Sequence, residues 1–502
     1  MTKRNRGQPV GPTCRHLTPT VNPNRDKSNV VGICSMNLAI RRYVITCLVL
    51  NCLAVSNLPT LRGQDVIDVS QVDIRSFGAV GDGRTDDTNA FRKAISSGRG
   101  GIRLGNGTFR ITETVDIELD KVGFTSLLGD GTARVIMAGA GPAFRLIGTH
   151  GGTADPGTVQ PSVWDRQRAP LIEGIEIVGA HKLACGIEAR GTMQLIINRV
   201  VIRKVLHGIH LTKRNRNVII AMCHIYENEG VGIYYDHVDL HQSNITNSHI
   251  SYNRQGGIVL RGGNVRNVHI GVCDIEGNMS PKTEPTANIL IDSTGGSLGE
   301  IAITGCTIQH DHRSPGSANI RINGKSLRRS HTNELRHGNI TISANVLSDV
   351  RTNIEASNTR GLTIVGNTIW KGFDSNLVLD NCQSFVVLGN IFDRNPRYHY
   401  GDGADAKLGV VLRNCTDGNV TGNAIHGTGD IPAAIYLKNC KGINMTGNSV
   451  YQPRGAAFLL EGVRSSRVSG SLIRVTDARQ VIVQRNSGPN QIANNLIDRE
   501  SE

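Results

Sequence analysis

Aromatic residues are scarce, 4% of 502, and only two of them are Trp. Glycine is plentiful instead, at 58 residues. Small turn formers and β-branched residues dominate, as in a chain of many short strands. No apolar run is long enough to span a bilayer comfortably, which takes about 20 residues. A surplus of one charge is also missing from most of the chain. The net charge is +13, but residues 1–64 hold nine Lys or Arg and a single acid, Asp26. Taking these from the totals of 55 and 42 leaves 46 basic and 41 acidic residues, a net +5. That balance argues against a nucleic-acid surface and leaves room for a mildly positive groove suited to an acidic substrate. The Leu/Asn consensus of leucine-rich repeats is absent too.

The first 64 residues read as a leader. Residues 1–35 are polar and carry no hydrophobic period. Met36 then opens a second start, and Arg41-Arg42 precede the short apolar stretch 43–55. A charged segment followed by such a stretch predicts a secretory signal over about 36–60, with translation starting at Met36. The expected location is secreted or periplasmic, without stable membrane insertion. An N-terminal cap with the first strands is expected over 65–110, and a repeat over 111–502.

What the chain has is one phrase said many times. Ile364-Val-Gly-Asn-Thr-Ile369 returns as Val387-Leu-Gly-Asn-Ile-Phe392, Val420-Thr-Gly-Asn-Ala-Ile425 and Met445-Thr-Gly-Asn-Ser-Val450. Its first apolar residue can be traced through Ile172, Ile197, Ile220, Ile245, Ile270, Ile303, Ile342, Ile364, Val387, Val420, Met445, Val468 and Ile492. A step near 23 residues fits three strands and three turns. The expected fold is all-β: a single-stranded right-handed parallel β-helix of about 13 or more coils, with a short N-terminal helix cap. Adjacent coils of such a rod are about 4.8 Å apart. The fourth phrase position holds Asn345, Asn367, Asn390, Asn423, Asn448 and Asn495, with Cys223, Cys273 and Cys306 in earlier coils. Stacked Asn side chains can bond along a rod, and Cys is a small buried substitute. A second column, Cys382, Cys415 and Cys440, points to internal stacking in preference to disulfides or a metal site. Seven cysteines follow the leader, so at least one has no internal disulfide partner.

A second pattern, small–apolar–x–apolar–x, recurs in each coil, as in Gly208-Ile-His-Leu-Thr212 and Gly232-Ile-Tyr-Tyr-Asp236. Period-two alternation turns its third and fifth residues outward as two parallel ladders. Glu188, Arg190, His210, Tyr234, Asp236, Arg261, Asp292 and Arg321 concentrate there. Long insertions, about 277–287, 309–318 and 324–338, flank the same strand; another, 393–407, lies further along. Loops beside one face of a rod can wall a groove. His310-Asp-His312, in an Arg/Ser/Pro/Gly loop, reads as a pair of exposed loop histidines and not as a metal site.

Near the start, Phe77-Gly-Ala-Val-Gly-Asp-Gly-Arg-Thr-Asp-Asp-Thr88 is followed by an Ala/Ile helix, by Gly100-Gly101 and by Gly107-Thr-Phe109. This stretch, over about 73–130, resembles the opening motif of the pectate-lyase-like β-helix superfamily. That group holds rhamnogalacturonase and polygalacturonase relatives, mannuronan epimerases and some phage tailspikes. Thr85 or Asp86 can cap the helix, and the resemblance implies that Asp82, Asp86 and Asp87 build the cap. It also implies that the outward ladder and its loops line a carbohydrate cleft. Tyr234-Tyr-Asp-His237 resembles the Tyr/Asp/His cluster of mannuronan epimerases, without the fuller Tyr-Gly-x-Asp-Pro-His form.

The leading expectation is an exported enzyme acting on an acidic, uronic-acid glycan as a lyase or epimerase. Such chemistry needs a cation on the substrate carboxylate, a base for the adjacent proton and, in a lyase, an acid for the leaving oxygen. Arg261 or Arg190 can neutralise, Tyr234 and His210 can serve as acid and base, and Asp236 can orient His210 or bind a cation. Glu188, Arg190, Asp292 and Arg321 are the expected substrate contacts. No metal ligand set stands out, and a calcium requirement is left open, as is the oligomeric state. A glycoside hydrolase of the same fold is the alternative. Asp236 with Asp292, or Glu188 with Asp236, would lie two rungs and about 10 Å apart, nearer the inverting spacing. The polygalacturonase signatures Asn-Thr-Asp, Asp-Asp, Gly-His-Gly and Arg-Ile-Lys are missing from the coils. A non-catalytic, carbohydrate-binding surface β-helix is the third reading.

Overall fold

The computed structural model describes residues 72–280, 282, 286–327, 332–395, 397, 405–477 and 480–499. The expected leader over 1–64, with its signal and its Met36 start, lies outside the described residues, as do 65–71 and parts of the insertions 277–287, 324–338 and 393–407.

The chain is a parallel β-helix. Every strand-to-strand ladder is parallel, and strands pair with their counterparts one coil away. Three faces recur. The first carries the repeated phrase. All thirteen phrase starts are register partners in series, from Ile172↔Ile197 to Val468↔Ile492. The same row continues toward the N-terminus through Leu127, Ile102 and Val72. The second face is made of short strands such as His224–Tyr226 and His249–Ser251. The third carries the outward ladders. Two strands, Ile209–Ala221 and Ile233–Thr246, run unbroken from the third face round the corner to the first.

Inward positions are almost all apolar and sealed. Ile220, for example, is fully buried between Ile197 and Ile245. Each such side chain contributes about 1.5–3 kcal/mol on burial. The polar exceptions are bonded to one another. Asn345, Asn367, Asn390 and Asn423 each donate a side-chain N–H to the Oδ1 of the next Asn in line, at 2.9–3.0 Å, ending at Asn448. The row reaches back through Cys306, whose amide donates to Asn345 Oδ1. A second buried Asn ladder stands at the entrance to the third face: Asn228, Asn253, Asn278, Asn288, Asn319, Asn353 and Asn376 are linked in turn at 2.7–2.9 Å. All seven described cysteines are free thiols. In the second column, Cys382, Cys415 and Cys440 direct Sγ at backbone carbonyls of the preceding coil, 3.4–3.5 Å away.

The cap uses its acids structurally. Buried Asp87 accepts from the amides of Val80 and Gly81. Asp82 accepts from the amides of Arg84 and Thr85. The helix Thr88–Ser96 has Asp87 at its N-cap position, not Thr85 or Asp86; yet it is Asp86 that takes the Thr88 amide, because the Asp87 side chain is turned back into the Gly-rich turn. Ala90, Phe91, Ala94 and Ile95 form the buried face. Phe91 meets the Phe109 ring edge-on, with centroids 5.9 Å apart.

Candidate functional site

On the third face the register reads Glu188↔His210↔Tyr234↔Val259↔Leu290↔Arg321 in one ladder. The other reads Arg190↔Thr212↔Asp236↔Arg261↔Asp292↔Asn323. The inward Leu211 and Tyr235 fix the strands between them. Tyr235 is fully buried with its hydroxyl 2.7 Å from Ser243 Oγ, so it is the outer neighbours Tyr234 and Asp236 that face the groove.

Three predicted residues converge. His210 Nε2 is 3.0 Å from Asp236 Oδ2, and the His210 ring stacks on Tyr234. Two further histidines join them. His237 Nδ1 is 2.7 Å from Asp236 Oδ1, and the His207 ring centroid lies 5.5 Å from His210 and 5.3 Å from Tyr234. Burial pushes the Asp236 carboxyl up, but hydrogen bonding with His237, His210 and Tyr234 outweighs it and holds the group below the usual carboxylate range. Asp236 is therefore an acceptor at neutral pH, and both imidazoles donate to it. Burial and the Asp236 charge raise Tyr234, against the opposing pull of Arg261 on the next rung. His207 accepts the Val231 amide at Nδ1, 3.1 Å away, and burial lowers it to about 4. It stands in the turn just before Gly208, outside the alternating pattern, so no periodicity marks it.

The other predicted residues have partners elsewhere. Glu188 pairs with Arg145 at 3.1 Å, and Arg145 also reaches Asp116. Asp292 accepts from Thr294 and from Asn323. Arg321 pairs with Glu355 at 3.0 Å and donates to the carbonyls of Thr286 and Gly316. It thereby pins the 309–318 insertion against the rod. Arg190 is half-buried two rungs before Asp236 in the same ladder. Val259 points outward by register yet is only 1% exposed, so the ladder is interrupted beside Arg261. In the His310–His312 loop, His310 is exposed, but His312 is half-buried and stacked on Phe373 with centroids 3.9 Å apart, correcting the expectation of two exposed histidines. A further excursion lies outside the predicted insertions. Residues 148–168 leave the third face after Ile147, and the buried Arg216 donates to the carbonyls of Thr153 and Ala154 to hold them.

A family model described as right handed beta helix region matches residues 163–308, and one described as rhamnogalacturonase A/epimerase, pectate lyase-like, matches 71–168. The chain is a right-handed parallel β-helix that opens on a pectate-lyase-like segment. A third family model, periplasmic copper-binding protein (NosD), matches residues 300–502 of this β-helix. The pre-neck appendage protein of Bacillus phage B103 is 43% identical over 51 residues, which are 10% of this chain and 6% of that protein's length. Gene product 12 of bacteriophage phi29, in its pre-mature form, superposes with a TM-score of 0.51 at 15% identity, over 86% of this chain and 57% of that one. The A-module of the Azotobacter vinelandii mannuronan C-5 epimerase AlgE4 gives 0.48 at 16% identity, over 86% of this chain and 100% of that one. Likeness at such identity concerns the fold alone.

Among the described residues no group of three or more His, Cys, Asp or Glu side chains is placed to hold a metal ion. The cysteines within the NosD-like part are buried and turned to backbone carbonyls. These buried thiols do not fit a copper site. Among the described residues no helix is long and apolar enough to cross a membrane.

Proposed function

We propose that this β-helix acts outside the cytoplasm on an acidic, uronic-acid polysaccharide, as a lyase or epimerase. The observation that carries the reading is the Asp236 carboxylate bonded to His210, with Tyr234 stacked on that imidazole and Arg261 on the next rung. With Nε2–H donated to Asp236, Nδ1 of His210 holds the ring's lone pair and serves as the base. It removes the proton from the carbon bearing the substrate carboxylate. Arg261 stabilises that carboxylate as negative charge grows on it. In the lyase reaction the bond from the neighbouring carbon to the glycosidic oxygen breaks, a carbon–carbon double bond forms, and Tyr234 gives its proton to the leaving oxygen. In the epimerase reaction Tyr234 gives its proton to the opposite face of the carbanion. Asp236 is a positioning residue that fixes the His210 tautomer.

Two features support an extracytoplasmic location: the predicted signal, and the periplasmic name of the family matching the C-terminal part. The hydrolase alternative needs two available carboxylates. Glu188, Asp236 and Asp292 are each tied to protein partners, which weighs against it.

The test is incubation with polygalacturonate, alginate and mixed uronans in deuterated water. A lyase yields an ultraviolet-absorbing unsaturated end; an epimerase incorporates deuterium at the inverted carbon. Reducing ends without either signal would mean hydrolysis, and none of the three would leave a glycan binder.

A further inference from the structure

A hollow of about 680 Å³ opens at the corner between the second and third faces, lined by Lys204, Glu227, Glu229, Tyr252, Arg254 and Met279 among others. Its position follows from the repeat. Lys204, Glu227, Tyr252 and Gly277 each follow a second-face strand in successive coils, and all four have left-handed backbone, with φ of 58°, 54°, 56° and 61°. Such a corner throws side chains outward. Gly277 breaks the column, and a Cβ there would sit 2.8 Å from the Tyr252 ring. The missing side chain is what lets that ring lie flat on the coil. Tyr252 is nevertheless 53% exposed, with its hydroxyl fixed by Glu276 Oε1 at 2.7 Å. An exposed, immobilised ring beside hydrogen-bonding side chains is the arrangement that receives the C–H face of a sugar.

The hollow shares its coils with the His210–Tyr234 cluster. The turn 228–231 separates the two: Glu229 lies on the hollow side, while the Val231 amide bonds His207 on the cluster side. The two differ in charge. Arg261 serves the cluster with a cation. In the hollow, Arg254 is paired with Glu229 at 3.4 Å, and Lys204 and Glu227 both line it, so cations and carboxylates balance there. This edge therefore offers a second carboxylate no net positive charge, unlike the cluster.

We propose that the Tyr252 hollow is a subsite for a neutral sugar unit next to the reacting uronate, so that the substrate is a mixed polysaccharide and not a homouronan. The sugar stacks on Tyr252, and Glu229 and Arg254 bond its hydroxyls. This rests on the function proposed above, because the cluster supplies the acidic neighbour.

The test is binding by the full chain, followed by calorimetry and saturation-transfer NMR. The probes are oligogalacturonates, oligomannuronates, hyaluronan oligosaccharides (glucuronate alternating with a neutral N-acetylhexosamine), oligosaccharides from other mixed uronans, and neutral xylo-oligosaccharides. The expected result is that at least one mixed oligosaccharide binds more tightly than every homo-oligouronate of equal length. Tyr252→Ala should weaken it about tenfold, the scale of one lost ring contact. Glu229→Gln should weaken mixed probes while improving homo-oligouronates. Saturation transfer should mark the neutral ring at Tyr252. Homo-oligouronates binding best, no binding by any probe, or mixed probes unaffected by Tyr252→Ala would each overturn the subsite. If mixed probes bind through Tyr252 but are neither cleaved nor epimerised, the subsite stands and the catalytic reading fails.

Discussion

The rings of His210 and Tyr234 lie on adjacent rungs with centroids 5.3 Å apart and planes 9° from parallel. In the proposed reaction these two rings are the base and the acid, and their flat contact fixes how far apart they stand. Tyr234→Phe keeps the stack and removes only the hydroxyl. It should lower turnover on a uronan about 100-fold or more and change affinity less than twofold. His210→Ala should do as much damage and also leave Asp236 Oδ2 without its imidazole partner. Initial rates from ultraviolet absorbance or deuterium incorporation, with calorimetry for affinity, decide it. Wild-type rates in both variants would remove this cluster from the chemistry.

His207 and His150 are both held near pKa 4 by burial, well below the ordinary value of 6.5. The unfolded chain takes up protons at these sites from about pH 6.5 downward, while the folded chain does so only near 4. The stability present above pH 6.5 should therefore decline as pH falls toward 4 and level off below it, by about 1–3 kcal/mol per site. Thermal unfolding from pH 8 to 4 measures this. His207→Gln should flatten its share of the slope. A slope unchanged by His207→Gln and His150→Gln would show that carboxylates alone cause it.

Asn367 stands in the middle of the first Asn ladder, accepting from Asn345 and donating to Asn390. Asn367→Ala leaves buried amide groups on both neighbours without their partner, a loss of about 2–4 kcal/mol. In a rod where each coil touches only its neighbours, the loss should appear as an early unfolding step of nearby coils. Hydrogen exchange should show weakened protection in the coils of Asn345 and Asn390. A uniform change along the whole rod would contradict this.

The six buried cysteines should resist alkylation in the folded chain, and Cys185, which is half-buried, should react slowly. Mass mapping after mild iodoacetamide treatment reads this directly. Reductant should leave the melting temperature of the rod unchanged, since its described thiols are unpaired.

The rod was legible because its signal is carried by identity at fixed positions. Ile364 and Val387 pair because both start the phrase, and Asn367 and Asn390 bond because both stand fourth. The outward ladders were legible as positions only. Whether Glu188 or Arg321 stays available depends on side chains one coil away, Arg145 and Glu355, which are 43 and 34 residues off in sequence. His207 was hidden for another reason. It occupies a turn, where alternation does not operate, and enters the cluster because the chain folds back at Gly208. Val259 follows the alternation and is still covered.

The Asn ladders run head to tail, each amide reaching toward the following coil. A part-coil insertion would place some other residue where an acceptor is required and would break the series for both neighbours. Length can therefore change smoothly only in the loops, or by whole coils in the rod. A lineage built this way can lengthen the distance between two remote sites only in discrete steps of about 4.8 Å, while the geometry within a single coil is inherited intact.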